Sequence, residues 1–226
     1  MIISHKYKFI FIKTLKTAGT SIEAKLSSIC GEEDVFTPLR PPVEGHQKRN
    51  YQGRFNPIPE ILSGYREPKK SLAEWWHAKR FDSHLTASVI RSRVGEKIWN
   101  EYFKFCVERD PWDKCYSMYR WSSSKKIMDF DQWLSTVKVL PTNFPFYSNE
   151  RNEILVDKVL DYRQLNEELK DVLIPLGVPF DDLNVFAKKI GTGKPNFDLN
   201  EISPASKERV ERIFSKEFEI YSKIRK

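Results

Sequence analysis

Hydrophobic and polar positions along this chain follow two periods. Three short, mostly apolar stretches, residues 9–12, 103–107 and 154–160, have the length of buried strands. Elsewhere apolar residues recur at intervals of three and four, the stripe of an amphipathic helix. Such stripes are Ile22, Leu26 and Ile29; Leu85, Val89 and Ile90 after His84; and Phe130, Trp133, Leu134 and Val137. Another runs through Leu165, Leu169, Val172, Leu173 and Leu176 and stops at Gly177, with Pro179 beyond. Trp75 and Trp76 begin or precede a helical stretch through Lys79, and Ile98 and Tyr102 lead into the second apolar run. Ser203-Pro204 starts a final helix that carries Val210, Ile213, Phe214, Phe218 and Tyr221 inward. The alternation predicts an α/β fold: a mainly parallel sheet covered by helices, with ligands at the C-terminal strand ends.

One stretch breaks this rhythm. Residues 37–70 contain RPPVEGHQKRNYQGRFNPIPE, too rich in breakers for regular structure and too long for a simple connector. It reads as a functional loop packed over a site or as disorder, and Tyr51 and Phe55 argue for packing. A chain of 226 residues is otherwise long enough for one domain with a sizeable core, spanning 1–226. The 38 Lys and Arg against 31 Asp and Glu leave a net charge of +7, which favours anionic partners. The charges are dispersed and no nucleic-acid motif is present, so a small anion is expected rather than DNA or RNA. A strand begins by about Tyr7, leaving no room for a signal peptide, and no run approaches the roughly 18 to 20 apolar residues of a membrane span. A soluble, cytoplasmic protein is expected. Cys30, Cys106 and Cys115 are odd in number and lie in apolar patterns, which suits buried reduced thiols. His5, His46, His77 and His84 have no metal-ligand spacing.

Two turns carry the chemistry. After residues 9–12 the chain holds Lys13, Lys16, Thr17, Gly19, Thr20 and Ser21 ahead of a helix. A helix start has unpaired N–H groups and partial positive charge, Gly19 lets the backbone approach a ligand, and Lys16 adds a full cation. The order differs from GxxxxGK[ST], because Lys16 precedes Gly19 by three residues, which weighs against kinases and ATPases. After residues 103–107, Asp110 and Pro111 form a good helix start. Arg109 ends the strand and Ser117 lies eight residues on, so guanidinium and hydroxyl can share one phosphate.

On these residues the chain resembles the sulfotransferases that use 3'-phosphoadenosine-5'-phosphosulfate (PAPS), in their carbohydrate-type and bacterial branch. KTLKTAGTS at 13–21 is similar to the family's 5'-phosphosulfate loop, PKTAGTS, with Leu15 in place of proline. VERDPWDKCYS at 107–117 is similar to its 3'-phosphate motif, VRNPWDRxxS, with the Arg-to-Ser interval retained and Glu108 and Asp110 in place of commoner residues. FDSHLTAS at 81–88 is similar to the family's histidine segment, and VDKVLDYRQLNEEL at 156–169 to the strand and helix that follow. The resemblance implies a three-layer, P-loop-like sandwich and sulfuryl transfer from PAPS to a hydroxyl, or less readily an amine, of a carbohydrate or small-molecule acceptor, leaving the product adenosine 3',5'-bisphosphate (PAP). It implies Lys16 and His84 as catalytic residues, and Lys16, Thr17, Ala18, Gly19, Thr20, Ser21, Arg109 and Ser117 as nucleotide ligands, without a metal. Residues 37–70 lie where family members differ with acceptor. Each assignment has a plainer alternative: Thr20 and Glu23 also spell a capping box, Ser21 a helix-start hydroxyl, and Arg109 and Ser117 a surface ion pair and a chance serine. His84 also suits a structural histidine; His77 and Glu60 are the alternative bases. A nucleotide kinase of related fold and a non-catalytic anion-binding module are the competing readings of the whole chain.

Overall fold

In the computed structural model, which describes residues 1–122, 126–183 and 197–225, five strands form one sheet in the order β3-β1-β2-β4-β5. They are β1 (Ile2–Ser4), β2 (Phe9–Ile12), β3 (Val35–Phe36), β4 (Phe103–Glu108) and β5 (Lys158–Asp161). β2, β4 and β5 are parallel neighbours, with Ile12 beside Cys106 and Glu108 beside Asp161. β1 is antiparallel to both β2 and β3. The sheet is therefore mixed, where a mainly parallel one was expected. The cause is the short turn between Ser4 and Phe9, since a parallel connection needs a crossover of about a dozen residues. β1 and β3 are too short to show a period, and Tyr7 lies in the turn rather than in a strand.

The helices are α1 (Gly19–Ser27), α2 (Ile58–Leu62), α3 (Pro68–Trp76), α4 (Ala87–Val94), α5 (Glu96–Glu101), α6 (Pro111–Trp121), α7 (Phe130–Thr136), α8 (Phe144–Tyr147), α9 (Leu165–Leu173), α10 (Pro204–Ile213) and α11 (Ser215–Ile224). Successive side chains of a strand point to opposite faces, and β2 shows both uses. Phe9 and Phe11 pack with Phe105, Val107 and Leu160 under α1 and α9. Ile10 and Ile12 pack with Cys106 under α4 and α5. Every β2 residue is buried, which explains why the strand reads as an unbroken apolar run. A third cluster joins Cys115 of α6 to Trp133 of α7 and to Val210 and Phe214 beyond them. Cys30, Cys106 and Cys115 are free thiols, the last two buried. Among the described residues no helix is long and apolar enough to cross a membrane.

Four expectations change in detail. Trp75 and Trp76 end α3 instead of opening a helix, with His77 closing it. Only Lys158–Asp161 of the 154–160 run is a strand; Ile154 makes an isolated bridge to Ser148. The final helix is two helices with Phe214 between them. Residues 37–70 contain α2 and the start of α3, and the segment is tied down. Arg93 of α4 donates from Nε to Glu60 Oε2 (2.9 Å), from Nη2 to Glu60 Oε1 (2.8 Å) and from Nη2 to Glu74 Oε2 (2.8 Å). Its guanidinium lies 3.9 Å from the centre of the Phe55 ring. The signal was missed because the carboxylates that anchor the segment lie inside or beyond it, and their cation is more than thirty residues from Glu60.

Candidate functional site

Because β2 and β4 are adjacent and parallel, the segments that follow them leave the same edge of the sheet side by side. They wall a cleft of about 800 Å³. Lys16, Thr17, Ala18, Gly19, Thr20 and Ser21 line it. Arg109, Ser117 and His84 line it as well. All the residues assigned from the sequence thus meet in one place.

The loop before α1 is built from unusual backbone. Lys16 (φ 60°) and Ala18 (φ 61°) are both left-handed, which non-glycine residues seldom adopt. Alternating such residues with ordinary ones turns successive N–H groups to one side, a concavity suited to anions. Ser21 N and Ile22 N close on the Ala18 carbonyl at 2.9 and 3.1 Å, and the N–H groups just ahead of them are those a helix start leaves unpaired. Thr14 Oγ1 donates to the Val107 carbonyl (2.6 Å) and shares a hydrogen bond with Thr17 Oγ1 (2.8 Å), stitching the loop to β4. The Thr17 hydroxyl is therefore committed inside the protein, and the residue meets the cleft otherwise than through a free hydroxyl.

One alternative reading of this loop is corrected. The capping box at Thr20 and Glu23 does not form: Ala18 is the N-cap, with no side-chain cap bond. The buried Glu23 carboxylate instead holds Lys13, the Met1 amino group and Thr37 Oγ1, the last at 3.0 Å. Gly19 lines the cleft and also serves a close approach inside the protein. A Cβ there would lie 2.7 Å from Lys13 Cγ and 3.0 Å from its Cε, so the glycine makes room for the buried Lys13 side chain.

Beside this loop, Asp110 caps α6 as its sequence predicts, accepting from Trp112 N (3.0 Å) and Asp113 N (3.2 Å). Arg109 precedes it, 4.3 Å over the Tyr162 ring, and donates from Nη1 to the Lys16 carbonyl at 3.2 Å. Its buried Nε has no partner among the described residues. A buried donor left unpaired is costly, so this guanidinium is suited to an anionic acceptor in the cleft. Lys16 Nζ lies 5.4 Å over the ring of the exposed Trp121. Burial, and then the Arg109 cation, hold the Lys16 ammonium below the usual lysine range.

His84 opens to the cleft with its Nδ1 3.1 Å from the Lys13 carbonyl. A carbonyl can only accept, so Nδ1 carries the hydrogen and Nε2 keeps its lone pair when the ring is neutral. Burial, then the nearby Lys13 charge, push its pKa down, which favours that neutral form. The other two candidate bases are elsewhere. Glu60 is fully buried against Arg93 and Ser71, and the exposed His77 caps α3 away from the cleft lining. Of residues 37–70, Pro38 and Arg40 reach the cleft.

Sequence reasoning missed Tyr116, Arg120, Trp121 and Tyr162, which also line it. Arg120 and Trp121 stand three and four residues after Ser117 on one helix face, a spacing that could have found them. Tyr162 follows β5, and only the order of the strands brings it beside Arg109. Among the described residues no group of three or more His, Cys, Asp and Glu is placed to hold a metal ion.

No family model matches the chain, and no solved structure matches it. It is 32% identical over 107 residues to an uncharacterized protein of Archaeoglobus fulgidus, an alignment that covers 45% of this chain and 88% of that protein, and it belongs to the same family.

Proposed function

We propose that this protein is a PAPS-dependent sulfotransferase of the three-layer, P-loop-like type, working in the cytoplasm on a hydroxyl-bearing carbohydrate or small molecule. The observation that carries the reading is the meeting of two motifs at adjacent strand ends: the Lys16 loop and the Arg109–Ser117 pair face one cleft. The residues present fit the donor. The left-handed loop and the helix start suit a 5'-phosphosulfate, and the unpaired Arg109 Nε beside them suits a 3'-phosphate. Bound there, the donor supplies an activated sulfuryl group.

The protein's own part divides among named atoms. Arg109 and the Ser117 hydroxyl fix the 3'-phosphate and so select against nucleotides that lack it. Lys16, the loop N–H groups and the hydroxyls of Thr20 and Ser21 offset negative charge that grows on the leaving phosphate. His84 Nε2, held as the acceptor nitrogen by the Nδ1 bond to Lys13, takes the proton from the attacking hydroxyl. Arg40, on the His84 rim, is a cation for the acceptor.

Calorimetry with PAP, ADP and ATP tests the nucleotide half of the proposal. PAP should bind at least about tenfold more tightly than either, the scale of one charge-assisted hydrogen bond. Turnover of labelled PAPS against a panel of hydroxyl acceptors, scored as a mass gain of one sulfuryl group, tests the reaction. Tight ATP binding with weak PAP binding would favour a kinase.

A further inference from the structure

Residue 15 is the position at which loop 13–21 departs from PKTAGTS, with leucine where that pattern has proline. Proline carries no N–H and holds its own φ through the ring. Leu15 has an N–H and lacks the ring, and Asn143 engages both of its peptide groups. Leu15 N donates to Asn143 Oδ1 at 2.8 Å, and Asn143 Nδ2 donates back to the Leu15 carbonyl at 3.1 Å. One side-chain amide thus pairs with both polar groups of a single residue, as a neighbouring strand would.

Asn143 is itself anchored in a buried frame. Its Nδ2 also reaches Glu108 Oε1 at 3.2 Å, and its backbone N–H donates to Glu217 Oε1 at 2.5 Å. Glu108 of β4 and Glu217 of α11 hold the Lys114 ammonium of α6 between them, and Tyr147 of α8 donates to Glu108 Oε2 at 2.9 Å. None of these five residues is more than 1% exposed. A frame of this kind draws on four elements and has one link to the loop, through Asn143. The residue it grips stands immediately before Lys16, whose left-handed backbone a lysine seldom adopts unless its surroundings impose it. Arg109 holds the Lys16 carbonyl from the cleft side, and Asn143 holds Leu15 from the core side.

We propose that Asn143 is a positioning residue: it replaces the ring of the absent proline in fixing residue 15, and through it sets Lys16 in the backbone conformation that brings its amine to the cleft. The effect on turnover rests on the role of Lys16 given above, whereas the clamp on the loop stands apart from it.

The test combines amide exchange with a double-mutant cycle between Asn143→Ala and Leu15→Pro. In the unmodified protein the Leu15 amide should be protected about a hundredfold or more over an open loop, and Asn143→Ala should lower that protection by about tenfold or more. Asn143→Ala should reduce turnover by about tenfold or more with donor KM moved by no more than about threefold, because the placement of Lys16 acts on the transition state. In the Leu15→Pro background the same substitution should cost no more than about threefold, since proline has no N–H to lose and keeps its own φ. An equal loss in both backgrounds would overturn the proposal. So would a Leu15 amide in the unmodified protein that exchanges as fast as an open loop, a result that requires no variant to fold. If the unmodified protein transfers no sulfuryl group, the functional reading fails while the exchange measurements still decide the clamp.

Discussion

Arg109 Nη1 donates a hydrogen bond to the carbonyl of Lys16 across 3.2 Å, joining residues 93 positions apart in the chain. This contact links the loop after β2 directly to the segment after β4, so neither is free to shift without the other. The same guanidinium lies over Tyr162, leaving its Nε buried and without a partner among the described residues. It fixes the loop with one nitrogen and, in the proposed reading, keeps another for the 3'-phosphate.

That dual use shapes the first prediction. Arg109→Ala should weaken PAP binding by about 1.5 to 3 kcal/mol and also weaken 5'-AMP somewhat, because the Lys16 loop loses its tie. Ser117→Ala touches no such tie and should cost about 0.5 to 1.5 kcal/mol for PAP while leaving 5'-AMP unchanged. Calorimetry on both nucleotides separates the cases. Equal losses for PAP and 5'-AMP in the serine variant would remove the 3'-phosphate assignment.

The pH profile should be a bell whose limbs belong to His84 and Lys16. Burial lowers both groups. As the proposed base His84 works when neutral, so turnover should fall as pH drops through its pKa, which lies below the ordinary imidazole value of about 6.5. In its proposed role Lys16 works as a cation, so turnover should also fall as pH rises through its own pKa, which lies below the ordinary value of about 10.4. His84→Asn should reduce turnover by roughly 100- to 10,000-fold and abolish the acid limb, with PAP affinity nearly intact. Lys16→Arg should move the alkaline limb upward. An acid limb that survives in His84→Asn assigns the base to another group.

Much of this site was legible because its parts are local. A strand, a cationic turn and a helix start can be read within fifteen residues, and Asp110 caps α6 as its sequence spells. The parts that were not legible depend on distant partners. Glu23 completes a local capping pattern with Thr20, yet its carboxylate serves Lys13 and Thr37 because β1, β3 and α1 meet there. The fold shows the same division. The parallel trio follows from apolar runs, whereas the antiparallel edge rests on β1 and β3, three and two residues long. Segment 37–70 read as loop or disorder because its order comes from Arg93, a residue outside it.

Arg93 gives a prediction about stability alone. It is the buried cation between Glu60 and Glu74, and neither it nor those carboxylates line the cleft. Removing one partner of a buried ion pair leaves the other uncompensated, so Arg93→Ala should lower unfolding free energy by about 3 to 5 kcal/mol. Urea denaturation followed by tryptophan fluorescence measures this. PAP affinity of the folded fraction should remain within a few-fold, and a large parallel loss of affinity would mean that the segment reaches the site after all.

The proposed acceptor side rests on Arg40. Of segment 37–70, Pro38 and Arg40 reach the cleft, and they do so beside Ser83, whose hydroxyl donates to the Pro38 carbonyl at 2.9 Å, and beside His84. Asp82, the carboxylate on this rim, is paired with Lys79 at 2.6 Å. Other cations of the segment are occupied away from the cleft: Arg49 lies over Phe36 and Arg54 over Trp75. Arg40 is thus the segment's cation placed to meet an acceptor next to the proposed base. Arg40→Ala should raise acceptor KM by about tenfold, the loss of one charge-assisted contact of about 1.4 kcal/mol, with PAP affinity within a few-fold. Lys48→Ala and Arg54→Ala should leave acceptor KM unchanged. Steady-state kinetics with an acceptor from the mass-spectrometric screen decides the matter: equal increases in all three variants would assign acceptor binding to the whole segment acting as a lid, and an unchanged KM in Arg40→Ala would move the acceptor to the Trp121 side of the cleft.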